Sequence, residues 1–265
     1  MGIYNIFTTS SGSLSDLSIS LRDALIERGH IAYYSPGTVV PDLINILLDS
    51  VMISDWSIVP QNSIIFNLEQ LGSNSKLVTD SYLEKLSQYR VWDYSKKNIE
   101  FLAQRGIEAL YTPIGYSRSL TKTVTSDVQD IDILFYGSLN ERRLTIIDEL
   151  KKFAKVCVVI GIYGDDLQSM IARSKLVLNM HYYDSRIFEA VRVSLLLANR
   201  KAVVAEVNQD TDIPDFYRDM VCPSSYLDLV ETCRFLLKHE NLRLLLENYG
   251  FERFRLYLQS SFLPV

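Results

Sequence analysis

The segment 175–206 carries side chains that are well suited to hold a ligand. A buried-strand pattern at 176–180 is followed by a polar and aromatic loop, a helical pattern at 185–198 and a second buried strand at 202–205. Strand, helix and strand within about 30 residues predict a βαβ unit and therefore a parallel sheet. Ligands of such sheets lie outside the carboxyl ends of the strands. The residues predicted to lie there are Asn179, His181, Tyr182, Tyr183, Asp184 and, just behind them, Glu189.

Glu189 is predicted to lie one turn into the helix. A carboxylate in that place can accept two hydrogen bonds from the vicinal hydroxyls of a ribose. The alternative is an intrahelical ion pair with Arg192 or Arg186, which contributes only a few tenths of a kcal/mol. His181 follows the strand directly and can donate to a pyrophosphate or sugar oxygen, although a structural role is the alternative. The two tyrosines after it can stack on a base or sugar, or only pack.

A glycine loop with two arginines is the second candidate for chemistry. It follows a predicted strand at 132–136, with Gly137 and Ser138 in the loop and Arg142 and Arg143 in the first turn of the next helix. The glycine lets the backbone approach a phosphate at a helix N-terminus. Cations in a first turn oppose the helix dipole, and an anionic ligand bound by arginine would offset that. The alternative is a pair of solvated surface arginines.

A third strand end, after a predicted strand at 155–160, would complete the pocket. Its loop contains Gly161 and Tyr163. The P-loop, the dinucleotide glycine pattern and the serine-hydrolase elbow are missing from the sequence, which disfavours those three enzyme classes. We also identify no Asp-x-Asp pair of the kind that holds a metal against a diphosphate, so no metal site is predicted.

Composition predicts an ordinary soluble protein. Of 265 residues, 48% are apolar and 22% charged, which suits a globular chain with a sizeable core. A net charge of −5 gives no overall attraction to nucleic acid or anionic membrane. Three scattered cysteines form no disulfide or metal pattern, and no apolar stretch is long enough to span a bilayer. We therefore expect a cytoplasmic protein with no cleaved signal and no integral membrane segment.

The order of elements predicts an α/β fold with two Rossmann-like domains facing each other across a cleft. The first domain is predicted at 1–116, with a helix at 41–51 and a buried strand at 63–67. The polar segment 117–130 is predicted to be a linker. The remaining predictions are a second domain at 131–240 and a last segment at 241–265, helical to residue 260, broken near Gly250 and crossing back to the first domain.

Two motifs resemble the donor domain of GT-B glycosyltransferases that use nucleotide sugars. FYGSLNERR, at 135–143, resembles that family's glycine loop with its basic residue, and LLLANRKAVVAE, at 195–206, resembles its helix-to-strand segment. The family carries two glutamates eight positions apart. Glu189 matches the second, which binds ribose, whereas His181 stands at the first. The segments NLEQL and VWDYS in the first half resemble, more loosely, acceptor domains of compact bacterial or phage members.

The resemblance implies a metal-independent transfer of a sugar from a nucleoside-diphosphate sugar to a hydroxyl group, with no cofactor. The acceptor would be a glycan, a lipid, a protein or a modified DNA base. His181 would contact the donor, and Glu69 and Asp16 are the candidates for the acceptor base. Two alternatives stay open. One is a non-catalytic module that binds a nucleotide or sugar phosphate, and the other is a nucleotide-sugar epimerase of the same architecture.

Overall fold

The computed structural model describes residues 1–10, 12–122, 126 and 128–265. The chain forms two compact units. Unit 1 contains Met1–Ser119 together with Leu258–Val265, and unit 2 contains Leu120–Tyr257. The boundary therefore falls inside the predicted linker 117–130, of which residues 123–125 and 127 lie outside the described part.

Unit 1 is built on a parallel sheet that has six strands in the described residues. The strands are β1 (Ile3–Phe7), β2 (Ile31–Tyr34), β3 (Ile44–Leu47), β4 (Ile64–Asn67), β5 (Arg90–Asp93) and β6 (Ala109–Tyr111). They lie in the order β2-β1-β3-β4-β5-β6. The helices of this part are α1 (Ser15–Glu27), α2 (Asp80–Gln88) and α3 (Lys96–Ala103), with 3-10 turns at Ser50–Met52, Trp56–Ile58 and Arg118–Leu120. Thr79 and Ser95 cap α2 and α3 by accepting from backbone N–H groups.

Unit 2 contains a second parallel sheet, with five strands in the described residues. The strands are β7 (Ile131–Tyr136), β8 (Val156–Val159), β9 (Ser174–Asn179), β10 (Ala202–Glu206) and β11 (Cys222–Ser224). They lie in the order β11-β10-β9-β7-β8. The helices are α4 (Glu141–Lys151), α5 (Gly164–Arg173), α6 (Ala190–Ala198), α7 (Leu229–Lys238) and α8 (Glu240–Phe254), with a 3-10 turn at Asp215–Tyr217. Two parallel sheets of this kind confirm the predicted pair of Rossmann-like domains.

Two predicted helices are wrong in type or extent. The predicted helix 41–51 contains strand β3, which lies buried between β1 and β4. A short apolar run fits a buried strand as well as a helix, so periodicity alone does not decide between them. Helix α6 begins at Ala190 rather than at 185, because 186–188 pair with Asp212 instead. Phe188 donates its N–H to the Asp212 carbonyl, and Asp212 donates to that of Arg186.

The end of the chain divides between the units. Helix α8 runs through Gly250 without the predicted break. A side chain at that glycine would lie 2.8 Å from the Met220 carbonyl oxygen, so close packing explains the glycine. Residues 240–257 belong to unit 2, whereas 258–265, which contain α9 (Gln259–Phe262), belong to unit 1. Gln259 anchors this last segment by accepting from the N–H of Gly115, at 2.6 Å.

Candidate active site

Glu189 lies at the residue before α6, where its carboxylate faces the end of β9 rather than capping the helix. It accepts a hydrogen bond from Asn179 Nδ2 at 2.8 Å, and His181 Nδ1 lies 3.4 Å away. The side chain is only 12% exposed. Burial raises the pKa of Glu189, but the contact with His181, the charge of Arg192 and the Asn179 hydrogen bond outweigh it and lower that pKa below its usual value. Glu189 is therefore an oriented carboxylate, ionised at neutral pH.

His181 is buried at the centre of this group of contacts, with a side chain only 2% exposed. Its second ring nitrogen, Nε2, lies 3.2 Å from Thr211 Oγ1. The backbone N–H of His181 donates to the Glu206 carboxylate, and its backbone carbonyl accepts from Arg142 and Arg143. Both ring nitrogens thus have protein partners. The predicted contact between His181 and a donor sugar stays a prediction, and it would require the ring to exchange one of these partners.

Arg143 is buried beneath the glycine loop. It donates to the carbonyl oxygens of Ser138, at 2.7 Å, Met180 and His181, and lies 3.9 Å from Glu189. Burial, followed by the neighbouring charge of Arg192, lowers the pKa of Arg143 to about 10, so it stays charged at neutral pH. Arg143 therefore joins the ends of β7 and β9.

Arg142 binds a carboxylate of the protein. Both of its terminal nitrogens donate to Glu206, one at 2.7 Å. The Glu206 side chain is 0% exposed, whereas that of Arg142 is 32% exposed and stacks on Tyr226. Burial raises the pKa of Glu206, but the hydrogen bond and charge of Arg142, the neighbouring His181 and the hydrogen bond from Asn208 lower it overall. Glu206 balances the charge of Arg142, so no anionic ligand is required to explain this arginine.

Two guanidinium groups converge on Gly137. A methyl group at this position would lie 2.7 Å from Arg192 Nη2 and 3.7 Å from Arg143 Nη1. Gly137 also has a φ of +130°, which side-chain-bearing residues rarely adopt. Arg192 is held by Asn179, whose Oδ1 accepts from Nη1 at 2.9 Å. The loop thus needs glycine for its backbone conformation and for the space that the guanidinium groups occupy.

Replacing Gly137 by alanine tests this requirement. Backbone strain of about 1–3 kcal/mol and the displacement of Arg192 should lower the melting temperature and change the positions of Arg143 and Arg192. Gly161→Ala is the matched control, because Gly161 also has a positive φ, +69°, but no atom within 4 Å of the added methyl group. Differential scanning calorimetry should show the larger loss for Gly137→Ala. Equal losses would contradict the close approach of Arg192.

The other predicted donor-site residues lie on loops after the strands of unit 2. Ser138 follows β7, and Gly161 and Tyr163 follow β8, with Tyr163 half exposed. Tyr182 and Tyr183 pack edge to face with their ring centres 4.8 Å apart. Asn179 is the buried last residue of β9, and Asp184 is an exposed residue in the turn that follows. Parallel strands bring these loops to one edge of the sheet, and their roles in donor binding stay predictions.

Sequence patterns do not indicate that Glu206 and Thr211 belong to the site, or that Asn179 holds Arg192 by a hydrogen bond. Glu206 ends β10 and could have been found by the strand-end rule that selected Asn179. Thr211 lies in a segment without strand or helix periodicity, so no sequence signal marks it. The sequence suggests Arg192 only as an ion-pair partner of Glu189, whereas the structure gives it a hydrogen bond to Asn179.

Unit 1 carries its own cluster of polar side chains at the carboxyl ends of its strands. Asn67 Nδ2 donates to Asp93 at 2.6 Å, and Asp49 accepts from the N–H of Thr9. Glu69 follows β4, and the described residues offer its carboxylate no hydrogen bond. Burial, and secondarily the charge of Asp49, raises the pKa of Glu69. The other candidate base, Asp16, lies in the first turn of α1.

Potential metal ligands are dispersed. The described residues contain no group of three or more His, Cys, Asp or Glu side chains arranged to hold a metal ion. Two Asp-x-Asp spacings do occur. Asp130 and Asp132 lie at the amino end of β7, opposite the glycine loop, and in the pair Asp210 and Asp212 the first carboxylate binds Arg186 at 2.8 Å.

Several solved structures that resemble this chain are glycosyltransferases. An alpha-glucosyltransferase in complex with UDP and a 13-mer DNA containing a HMU base has a TM-score of 0.66 and 10% identity, over 99% of this chain and 97% of that one. WaaG, a glycosyltransferase involved in lipopolysaccharide biosynthesis, has a TM-score of 0.62 and 10% identity over the same shares. Sucrose-phosphate synthase from Thermosynechococcus elongatus has a TM-score of 0.61 and 12% identity, over 97% of this chain and 95% of that one. At these identities the likeness shows the fold, which is GT-B.

Two curated sequence relatives are uncharacterized viral proteins. An uncharacterized protein of Acanthamoeba polyphaga mimivirus is 29% identical over 56% of this chain and 21% of its own length. A second uncharacterized protein of that virus is 27% identical over 49% of this chain and 15% of its own length. The chain thus matches about a fifth of the length of the first relative and a smaller part of the second. No protein-family model matches the chain. Among the described residues, no helix combines the length and apolar character that crossing a bilayer requires.

Proposed function

We propose that this protein transfers a sugar from a nucleoside-diphosphate sugar to a hydroxyl group. One observation carries the proposal. At the carboxyl edge of the second sheet, Arg143, Arg192 and the oriented carboxylate Glu189 surround the glycine loop. Cationic groups next to a fixed carboxylate suit a diphosphate joined to a ribose. UDP is bound in a glycosyltransferase of the same fold, which supports the same ligand class here.

In this proposal the donor is held without a metal ion. The amides of Gly137 and Ser138 and the neighbouring guanidinium groups offset the negative charge that develops on the departing diphosphate. Glu189 accepts from the ribose hydroxyls through carboxylate lone pairs that Asn179 and His181 leave free. His181 orients Glu189, and the exposed ring of Tyr163 flanks the base.

Glu69 is our candidate for the base that removes the proton from the acceptor hydroxyl. A general base works in its ionised form, so the transfer rate should fall as the pH falls through the raised pKa of Glu69. Glu69→Gln should remove this acidic limb and reduce the rate by about 10²- to 10⁴-fold. Asp16→Asn is the matched comparison for the second candidate. A pH profile that is unchanged in Glu69→Gln would exclude Glu69 as the base.

Ligand binding is the first test of the proposal. A thermal-shift screen with UDP, GDP, ADP, CDP, dTDP and their common sugar conjugates should identify at least one compound that raises the melting temperature, since binding to the folded state stabilises it. The free sugars alone should give no shift. If the whole panel leaves the melting temperature unchanged, the proposed donor site is wrong.

A binding module without catalysis is a second candidate. The structure favours it in one respect, because His181 replaces the first glutamate of the family and has both ring nitrogens engaged. Such a module would bind the nucleotide sugar and return it intact. An epimerase would instead return the nucleotide sugar with an isomerised sugar, so mass spectrometry and NMR of the recovered ligand separate the three activities.

A further inference from the structure

Arg192 is a partly buried cation with few protein partners. Its Nη1 donates to Asn179 Oδ1, while its Nε is buried and has no hydrogen-bond partner. Within the described ranges no carboxylate oxygen lies within 4 Å of its nitrogens, although its charge acts on the nearby Glu189. A guanidinium group carries five N–H donors, so most of its binding capacity is unused by the protein. A semi-buried charge in this condition indicates a missing anionic partner.

The surroundings of Arg192 hold an excess of positive charge. Arg143 Nη1 and Arg192 Nη2 both lie within 4 Å of the place a side chain at Gly137 would take, and the charge of Arg192 lowers the pKa of Arg143. Glu189 is the carboxylate near them, 3.9 Å from Arg143. Two guanidinium groups therefore share one carboxylate beside a loop that lacks a side chain, and an anion there would relieve their repulsion.

The three arginines of the site differ in what their donors already bind. Arg142 is neutralised by Glu206, and Arg143 uses its donors on three backbone carbonyl oxygens. Only Arg192, among these three, has donors aimed at the loop that are still available. Asn179 fixes its position relative to Glu189, because the same amide accepts from Arg192 and donates to Glu189.

We propose that Arg192 binds the diphosphate of the donor at the Gly137 loop. This inference rests on the proposed function and assigns the diphosphate to Arg192 instead of to Arg142. Arg143 is then a positioning residue, which holds the loop by its carbonyl oxygens. Asn179 couples the diphosphate contact to the ribose contact of Glu189, so the two parts of the nucleotide are held at a fixed separation. Planar guanidinium geometry suits a bidentate contact with phosphate oxygens.

The test is isothermal titration calorimetry with the nucleoside diphosphate that the wild-type protein binds and with its parent nucleoside. Arg192→Gln should weaken diphosphate binding by about 10- to 100-fold, while affinity for the nucleoside stays unchanged. Arg192→Lys should fall between the two, since lysine keeps the charge but loses the planar fork. Arg186→Gln is the control, because Arg186 lies in the segment between β9 and α6, has a side chain that is 43% exposed, and pairs with Asp210.

The outcomes separate the inference from the function on which it rests. If Arg192→Gln binds the diphosphate as tightly as wild type, the inference is wrong and the proposed function stands. If wild type binds no nucleoside diphosphate of the panel, both are wrong. If Arg192→Gln does not fold, Arg192→Lys decides. If Arg192→Lys binds both the nucleoside and the diphosphate as tightly as wild type, the bidentate guanidinium contact with the diphosphate is wrong.

Discussion

Replacing Glu189 by alanine is expected to abolish measurable binding of the nucleotide sugar. The proposed role gives this carboxylate two hydrogen bonds to ribose hydroxyls, each charge-assisted and contributing about 1.5–3 kcal/mol. Together they correspond to a loss of affinity of about 100-fold or more. Calorimetry at neutral pH measures this directly, since Glu189, whose pKa is lowered, is ionised there.

Two further variants keep the Glu189 experiment interpretable. Glu189→Gln preserves the shape of the side chain but removes its charge, so it should retain part of the affinity. Glu149→Ala removes an exposed glutamate that pairs with Lys152, and it should bind like wild type. Circular dichroism checks that each variant is folded. Unchanged affinity in a folded Glu189→Ala protein would exclude Glu189 as the ribose ligand.

Replacing Arg142 by methionine is expected to cost about 3–5 kcal/mol of unfolding free energy, the typical cost of leaving a buried charge without its partner. Glu206 is the charge left behind, and its side chain is 0% exposed. Glu206→Gln should cost less, because the remaining Arg142 side chain is partly exposed and reaches solvent. Arg173→Met is the matched control, since the ion pair of Arg173 with Asp130 lies at the surface and should contribute little. Denaturant unfolding at neutral pH gives the three values.

The pH dependence gives this experiment a second readout. The folded pKa of Glu206 is lowered, so its ion pair stabilises the protein fully above the unfolded pKa of about 4.3. That stability is lost as the pH falls through the folded pKa. The gap between wild type and Arg142→Met should therefore be largest at neutral pH and shrink in acid. A gap of the same size at both pH values would contradict the buried ion pair.

The sequence predicted the parts of the site that depend on local patterns. Strand β9, the Gly137 loop and the carboxyl-end position of Asn179 follow from apolar runs that end in polar residues. Partners distant in sequence were not predictable in this way. Arg142 and Glu206 are 64 positions apart. They meet because β9 lies between β10, which ends at Glu206, and β7, which leads into α4. The local pattern predicts Arg142 as a phosphate ligand, whereas the structure adds a carboxylate partner that the pattern does not indicate.

The same reasoning explains where α6 begins. The helical apolar spacing of its residues extends back to 185, but 186–188 pair with Asp212, and Arg186 adopts a φ of +50°. Pairing with a distant segment overrides the local preference for helix. The consequence reaches the site, since Glu189 lies at the end of the helix instead of within it. Its carboxylate can therefore meet Asn179 and His181.

One measurement tests the central claim, sugar transfer from a nucleotide donor, most directly. Purified protein is incubated with the nucleotide sugar that gives the largest thermal shift, and the products are followed by mass spectrometry, with water serving as a slow acceptor. We predict release of the nucleoside diphosphate together with free sugar in the wild-type protein, and none in Glu189→Ala. Recovery of the bound nucleotide sugar intact, or with only its sugar isomerised, would contradict the transferase account.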